Sequence, residues 1–261
     1  MDYVIKMLST DGNREIVIKD LYKKTSVEEQ SFTFDKIYDE STSNQDIFEH
    51  TYKNIISKAF DNINCCMVAM GVNGSGKGFT LFGDDFKGVN KAPKVNDTDE
   101  PEGLLYKVVE SILEQAEDLG DTREISLTAS FYDLFLDRLR DLAIGIPIFG
   151  EEAAPEKPVK PEGRRFMEIG ATAPELEILD IPATQGAIAE KGLGVIVRGG
   201  TVVPIEHPSD IGRLMEYGFS TRERMDIKSS DKTTESRAHL IMNLCLKMTD
   251  RENPNFPPVN S

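Results

Sequence analysis

The apolar residues of the N-terminal quarter change from the spacing of strands to the spacing of a helix. Residues 14–22 and 31–38 predict short strands near a sheet edge, and the second alternates Phe32 and Phe34 with polar neighbours, the period of a half-buried strand. Between residues 44 and 62 the apolar side chains recur every three or four positions, which predicts an amphipathic helix. Ser43 or Asn44 is the expected cap of this helix.

A compact apolar run from Cys65 to Met70 lacks polar alternation and predicts a central, fully buried strand. Ser209 is the expected cap of a later helix. Strands that alternate with helices in this way predict an α/β fold with a largely parallel sheet. The remaining predictions are helices over 103–119 and 209–224, and strands over 124–136, 177–179, 195–198 and 240–248.

The composition is that of a folded protein and limits the classes of partner. The 261 residues are 39% hydrophobic and 29% charged, enough to bury a core without metals or disulfides. With 30 Lys and Arg against 45 Asp and Glu, the net charge is −15. A domain that binds nucleic acid would present a basic face, so this balance argues against one.

Three cysteines without a CxxC pair indicate a reducing compartment and no zinc site. The N-terminus lacks the pattern of a signal peptide, and no apolar run approaches the roughly 18 residues that a membrane span needs. We therefore expect a cytoplasmic protein with no membrane span. The prolines scattered through residues 143–175 predict a long insertion or exposed loop.

Residues 71–78 read GVNGSGKG and match the phosphate-loop pattern GxxxxGK. Glycines let backbone N–H groups turn toward phosphate oxygens, and a lysine at position 77 would reach the outer phosphates. The position that normally holds the Mg²⁺-binding hydroxyl is Gly78. A glycine-rich connection can also be a plain turn, but the strand expected before it favours a nucleotide loop. The candidate nucleotide-binding residues are Gly71, Val72, Asn73, Gly74, Ser75, Gly76, Lys77, Gly78 and Phe79.

Several segments, in the same order along the chain, closely resemble the kinesin motor domain. The resemblance implies a P-loop NTPase fold with a mostly parallel central sheet flanked by helices, and one motor domain over residues 1–261. It also implies ATP or ADP as the ligand, and microtubules or a microtubule-associated complex as the partner. The matching segments are Phe32–Asp35, Tyr38, Gln45–Phe48, residues 71–83, Gly103–Leu105, Ser130–Leu142 and Val195–Pro204.

The kinesin switch I pattern NxxSSRSH corresponds to residues 232–239, KTTESRAH. Ser236 and Arg237 match that pattern and are the expected switch I contacts of the nucleotide site. Glu235 stands where the family has a serine that approaches the γ-phosphate, and a carboxylate there would repel phosphate. We therefore interpret this stretch as a decayed switch, although a plain polar loop before the next strand is the alternative.

Two further kinesin elements have no counterpart in the sequence. No Arg-x-Arg-Pro strand precedes residue 14, and no switch II pattern DxxGxE follows residue 239. We therefore expect a partial motor fold that lacks the first strand and the switch II part, with an open sheet edge. A partner chain that completes the fold is one way to cover that edge. Together with Gly78 and Glu235, these departures predict weak or no hydrolysis by this chain alone, weak or absent Mg²⁺ binding and no catalytic residue.

Three functions are open to the sequence. The first is a kinesin-like protein of the microtubule cytoskeleton, in a cilium, a spindle or elsewhere, with a degenerate ATP site and a structural or accessory role. The second is a fragment of an active ATP-driven microtubule motor. The third is a non-motor P-loop nucleotide-binding module outside the kinesins.

Overall fold

The computed structural model describes residues 3–8, 15–20, 29–83, 103–135, 138–147, 176–181, 194–227, 238–251 and 259–260. The chain divides into two compact units, Met1–Ile47 and Phe48–Ser261. Each unit is described by itself below. The prediction of one motor domain over the whole chain stays a prediction, as does the insertion, of which residues 148–175 lie outside the described residues.

The N-terminal unit is a three-stranded antiparallel sheet in the order β1-β2-β3. Across the β2–β3 ladder the β-branched side chain of Ile16 lies opposite the aromatic side chain of Phe32. The sequence pattern did not predict β1, and β3 begins and ends earlier than the expected 31–38. The elements of this unit are β1 (Tyr3–Leu8), β2 (Glu15–Asp20), β3 (Glu29–Thr33) and α1 (Asn44–Ile47).

The helix expected over 44–62 is present over residues 44–60 and contains one π-helical turn, Phe48–Tyr52. Ser43 caps it, because its Oγ accepts a hydrogen bond from the backbone N of Asp46 at 3.1 Å. The Asp46 carboxylate in turn accepts from the backbone N of Ser43 at 3.1 Å. This reciprocal pair satisfies two donors that a helix start otherwise leaves free.

The second unit is built on a sheet in the order β10-β9-β4-β5, with β8 also paired to β4. The helices expected over 103–119 and 209–224 and the strands near 124–136 and 240–248 are confirmed, with bounds shifted by a few residues. A separate two-stranded sheet, β6-β7, holds the strands expected at 177–179 and 195–198. The elements are α2 (Lys53–Phe60), α3 (Lys77–Phe82), α4 (Leu104–Asp118), β4 (Arg123–Phe135), β5 (Arg138–Asp141), β6 (Glu177–Ile181), β7 (Gly194–Arg198), β8 (Val203–Pro204), α5 (Pro208–Ile227), β9 (His239–Asp250) and β10 (Val259–Asn260).

The prediction of a buried central strand over Cys65–Met70 is wrong. Residues 63–70 form no strand ladder, and the side chains of Val68 and Met70 are 69% and 86% exposed. An apolar run becomes a buried strand only where neighbouring strands pair with both of its edges. No strand in the described part of the chain does so here, and both Cys65 and Cys66 are exposed.

The expected parallel order of the sheet is also wrong for the described strands. Every ladder among them is antiparallel, including the long pairing of β4 with β9 from Arg123–Asp250 to Leu134–His239. A parallel neighbour needs a crossover connection and a second strand that pairs with it. The run before the phosphate loop was the expected source of such pairing, and it makes none.

The core of the second unit lies between one face of β4 and the helices α4 and α5. Leu127, Ala129 and Phe131 are buried on this face of β4, and Ser130 and Tyr132 on its opposite face are buried as well. The Phe131 ring meets the Phe219 ring edge to face, with centroids 5.7 Å apart. A glycine at 218 allows this contact, since a Cβ there would collide with the Phe131 ring.

Helix α5 begins at Pro208, and the expectation that Ser209 caps it is wrong. The Asp210 carboxylate accepts hydrogen bonds from the backbone N of Glu206 at 3.1 Å and of His207 at 2.9 Å. Proline suits the first helical position because its missing N–H would have no partner there. Ser209 is the second residue of the helix, and its backbone N donates to His207 Nδ1 at 3.2 Å.

One carboxylate, that of Asp133 on β4, is fully buried between two guanidinium groups. Arg140 Nε on β5 donates to Asp133 Oδ1 at 2.6 Å, and Arg140 Nη2 pairs with Asp133 Oδ2. Arg222 Nε on α5 lies 3.4 Å from Asp133 Oδ2, and its side chain is 2% exposed. This Asp133 cluster (Asp133, Arg140 and Arg222) ties β4, β5 and α5 together through a charge that has no access to water.

A second buried carboxylate, that of Asp141, joins the end of β5 to the segment before β8. Its Oδ1 accepts from the backbone N of Ala143 at 2.9 Å, and its Oδ2 accepts from the backbone N of Thr201 at 2.7 Å. The phenol of Tyr132 lies against Gly200, where a Cβ would overlap it. Burial raises the pKa of Tyr132, the Asp141 carboxylate acts in the same direction, and a hydrogen bond with Ser130 opposes both.

This raised pKa predicts a loss of stability at alkaline pH. The ordinary pKa is 10.0, so the unfolded chain releases this proton before the folded chain does. The contribution of the protonated Tyr132 phenol to the free energy of unfolding is therefore fully present below pH 10. It is lost as the pH rises through the pKa of Tyr132 in the folded chain. We expect Tyr132→Phe to flatten the decline in the free energy of unfolding above pH 10, measured by urea titration from pH 8 to 11. Each protein is referred to its own value at pH 8, and equal slopes would contradict the assignment.

Candidate nucleotide site

The candidate site is the loop of residues 71–76, which leads from the extended segment before it into α3. Gly74 and Gly76 have φ of +81° and +87°, values in the left-handed region that favours glycine. A Cβ at either position would meet no atom within 4 Å, so the glycines are required by the backbone and leave the loop open beside them. Residues 71–76 are exposed, which leaves the loop accessible to a ligand.

Gly71 lies close to the side chain of Ser75 inside the loop. A Cβ there would collide with Ser75 Oγ, and the backbone N of Ser75 donates to the Val72 carbonyl oxygen at 3.2 Å. The loop therefore closes on itself through this turn. The glycines of the sequence motif are explained by this local geometry.

The ammonium group of Lys77 is held over the loop. Lys77 Nζ donates to the carbonyl oxygens of Gly71 and Val72, both at 2.8 Å. These two contacts place a positive charge at the loop, where it would attract an anion. Phosphate oxygens would replace the two carbonyl oxygens as acceptors, because a charged acceptor makes the stronger hydrogen bond with an ammonium group.

The next residue, Gly78, offers no side chain to a metal ion. The nearest hydroxyl further along α3 belongs to Thr80, two positions on, which points to a different side of a helix with 3.6 residues per turn. The residues of the loop fit a phosphate group, but they lack the hydroxyl that would bind Mg²⁺. No group of three or more His, Cys, Asp or Glu side chains within the described ranges could hold a metal ion.

The structure brings together only part of the predicted site. Residues 71–78 form the loop and the first turn of α3, and Phe79 follows on that helix with 44% of its side chain exposed. The switch I residues Ser236 and Arg237 lie outside the described residues. The predicted site residues therefore stay predictions as ligand contacts.

Sequence reasoning missed a glycine that supports the site from the other end of α3. A Cβ on Gly103 would collide with the backbone of Leu81 and Phe82, so only glycine lets the start of α4 approach the end of α3. The sequence places Gly103 directly before a helical pattern, which marks it as the start of a helix. The close contact with the backbone of α3 involves residues about 20 positions earlier, so no local pattern could indicate it.

A glycine loop with a lysine at the start of the following helix is the local pattern of a phosphate loop, and this chain carries it in a fold of sheet and helices. The sequence matches the kinesin motor domain family over residues 5–258. The chain belongs to the kinesin motor domain family. No helix within the described ranges is long and apolar enough to cross a membrane.

Individual kinesins match at low identity. Kinesin-like protein 5 of Schizosaccharomyces pombe is 23% identical over 79% of this chain and 23% of its own length. Kinesin-like protein KIN-4A of Gossypium hirsutum is 25% identical over 86% of this chain and 19% of its own length. The chain thus spans less than a quarter of either relative.

A solved structure of a fast kinesin superposes with a TM-score of 0.65 at 19% identity, over 97% of this chain and 56% of that one. The resemblance seen in the sequence and the kinesin motor fold are confirmed. The interpretation of the chain as a P-loop module outside the kinesins is wrong, because the family match covers nearly the whole sequence. The expected lack of the first strand and of the switch II part stays a prediction.

Proposed function

We propose that this chain is a kinesin-like protein of the microtubule cytoskeleton that binds microtubules in a structural or accessory role and has a reduced nucleotide site. One observation carries the proposal: Gly78 stands where the loop would need a hydroxyl to bind Mg²⁺. Membership of the kinesin family supports the microtubule partner. A cilium or a spindle is the proposed setting.

In this proposal the phosphates of ATP or ADP lie against the loop of residues 71–76 and pair with the Lys77 ammonium group. A bound Mg²⁺ would neutralise charge that develops on the phosphates during transfer. Gly78 offers it no side-chain ligand at the position where phosphate loops bind the metal, and Glu235 adds a negative charge where the family has a serine. The site therefore keeps the groups that bind phosphate but lacks a group that hydrolysis needs, which fits an accessory role.

The test is sedimentation of the purified chain with polymerised microtubules in ATP, in ADP and in a non-hydrolysable ATP analogue. We expect the chain to sediment with microtubules to the same extent in all three nucleotides. A site that does not hydrolyse ATP cannot couple hydrolysis to release of the chain from the microtubule. No sedimentation in any state would overturn the microtubule partner. Release by ATP alone would overturn the reduced site.

Nucleotide contact at the loop is tested by Lys77→Ala. The substitution removes the ammonium group that lies at the loop. We expect it to weaken binding of a fluorescent ATP analogue at least about tenfold, the lower range for the loss of a charge-assisted hydrogen bond. The matched control is Lys58→Ala, which removes an exposed lysine of α2. Equal affinities of both variants for the analogue would contradict phosphate binding at this loop.

The second function, a part of an active motor, is favoured by a different observation. The chain covers 56% of the fast kinesin structure, so that solved chain contains polypeptide beyond the matched part. In this alternative, polypeptide beyond the matched part supplies what the chain needs for hydrolysis. A longer natural protein whose ATPase activity rises with added microtubules would support it over the accessory role.

A further inference from the structure

The phosphate loop contains an asparagine that is followed directly by a glycine. Asn73 is the only one of the 12 asparagines in the sequence that precedes a glycine. Glycine has no side chain beside its backbone nitrogen, so nothing on Gly74 itself blocks that nitrogen from the Asn73 side chain. The pair therefore places an electrophilic carbon, Asn73 Cγ, next to a nucleophile, the backbone N of Gly74.

The surroundings leave both groups free to react. Asn73 and Gly74 are exposed, and no hydrogen bond that involves the Asn73 side chain or the Gly74 N–H occurs among the described residues. Both residues lie in a turn in which the backbone N of Ser75 donates to the Val72 carbonyl oxygen at 3.2 Å. No atom lies within 4 Å of the place that a Cβ on Gly74 would occupy. Open space therefore flanks the pair.

Other exposed asparagines in the described part of the chain lack this combination. Asn54 lies in α2 and Asn243 in β9, where a helix or a strand holds the backbone. Asn62 follows α2 and, like Asn54, precedes an isoleucine, and Asn243 precedes a leucine. These larger side chains crowd the backbone nitrogen that would have to attack. All these asparagines are exposed, so the glycine at 74 is what distinguishes Asn73.

We infer that Asn73 is a site of spontaneous deamidation, which places a carboxylate in the phosphate loop. The backbone N of Gly74 loses its proton to hydroxide and attacks Asn73 Cγ, and the new N–Cγ bond replaces the Cγ–Nδ2 bond. Nδ2 takes a proton from water and leaves as ammonia, so that a cyclic succinimide remains. Water then adds to one of the two imide carbonyl carbons, and the bond from that carbon to nitrogen breaks. The product is aspartate or, where the peptide bond now runs through Cγ, isoaspartate.

The consequence for the site rests on the proposed function, in which phosphates lie against this loop. The Lys77 ammonium group is the cation there, with its Nζ 2.8 Å from the carbonyl oxygens of Gly71 and Val72. A carboxylate at position 73 would offset that positive charge and repel a phosphate. A bound phosphate would in turn accept hydrogen bonds from the loop N–H groups and keep the Gly74 nitrogen from attacking. An empty loop is thus modified with time, and an occupied loop is protected.

Deamidation is tested by mass spectrometry of the full chain, kept without nucleotide at mildly alkaline pH for increasing times. We expect Asn73 to convert at least about tenfold faster than Asn54, Asn62 or Asn243, each site being assigned by fragmentation. The rate should rise in proportion to hydroxide, and in heavy-oxygen water the product should carry one heavy oxygen. An isoaspartate-specific methyltransferase should label the aged chain. No conversion of Asn73, or conversion no faster than at the three comparison sites, would overturn the inference.

The effect on the site is tested with the fluorescent ATP analogue in EDTA. Asn73→Asp introduces the charge and Asn73→Ser does not, while both remove the amide, so the difference between them isolates the carboxylate. We expect the aspartate variant to bind at least about fivefold more weakly, the size of a repulsion between exposed unit charges a few ångström apart. Equal affinities of the two variants, in a chain that binds the analogue, would overturn the effect on the site.

Protection by the ligand separates this inference from the proposed function. At an analogue concentration about ten times its Kd, conversion of Asn73 in the wild-type chain should slow about tenfold, because the empty fraction falls in that ratio. Conversion that continues at the unprotected rate would overturn the protection. A fresh wild-type chain that does not bind the analogue would overturn the proposed nucleotide contact instead, and the mass measurement alone would then decide the deamidation of Asn73.

Discussion

Replacing Asp133 by asparagine is expected to lower the free energy of unfolding by about 3–5 kcal/mol, the usual cost of breaking a buried ion pair on one side. The carboxylate of Asp133 is fully buried and is shared by Arg140 and Arg222. An asparagine of the same shape keeps the packing but removes the negative charge. The guanidinium group of Arg222, with 2% exposure, would then remain in the core without its counter-charge.

The measurement is urea denaturation of the purified protein, followed by circular dichroism. The matched control is Glu177→Gln, which removes one side of an exposed ion pair, Glu177 Oε2 to Arg198 Nη1 at 3.2 Å. That variant should change the stability by less than about 1 kcal/mol, since exposed pairs contribute little. If Asp133→Asn were no more damaging than this control, the Asp133 cluster would not be what joins β4, β5 and α5.

Replacing Gly78 by threonine is expected to increase affinity for an ATP analogue in Mg²⁺ by about tenfold or more. The substitution supplies the hydroxyl that the loop lacks at the position where phosphate loops bind the metal. The expected size of this gain follows metal sites in general, where mutation of residues that only contact the metal ligands changes metal affinity by about 10–100-fold. Threonine is also a better helix residue than glycine, so α3 should not be weakened.

The matched control is Gly78→Val, which has nearly the same shape as threonine without the hydroxyl. Both variants and the wild-type chain are titrated with the fluorescent analogue in Mg²⁺ and in EDTA. We expect only Gly78→Thr to gain affinity, and only in Mg²⁺. A gain that valine shares, or that survives EDTA, would show that the hydroxyl is not what this loop lacks.

Much of the candidate site could be predicted from the sequence, because its determinants are local. The glycines at 74 and 76 are explained by backbone torsions that few other residues adopt, and the lysine follows them at a fixed spacing. Helical spacing in the same way predicted α4 and α5 within a few residues. The family resemblance depends on these same short patterns and was confirmed by the match over 5–258.

Other features could not be predicted because they depend on residues far apart in the chain. The run from Cys65 to Met70 has the composition of a buried strand, yet its exposure follows from the lack of neighbours that pair with it in the described structure. The Asp133 cluster joins residues from three elements, and the sequence shows each of its charges as an ordinary polar residue.

The loop, the helices and the kinesin family could all be predicted from sequence alone, because torsion preferences and helical periodicity act over a few residues. The burial of particular apolar residues and the antiparallel pairing of the described strands emerged only from the folded chain. Burial and strand pairing are properties of two surfaces in contact, and one segment of sequence describes only one of them.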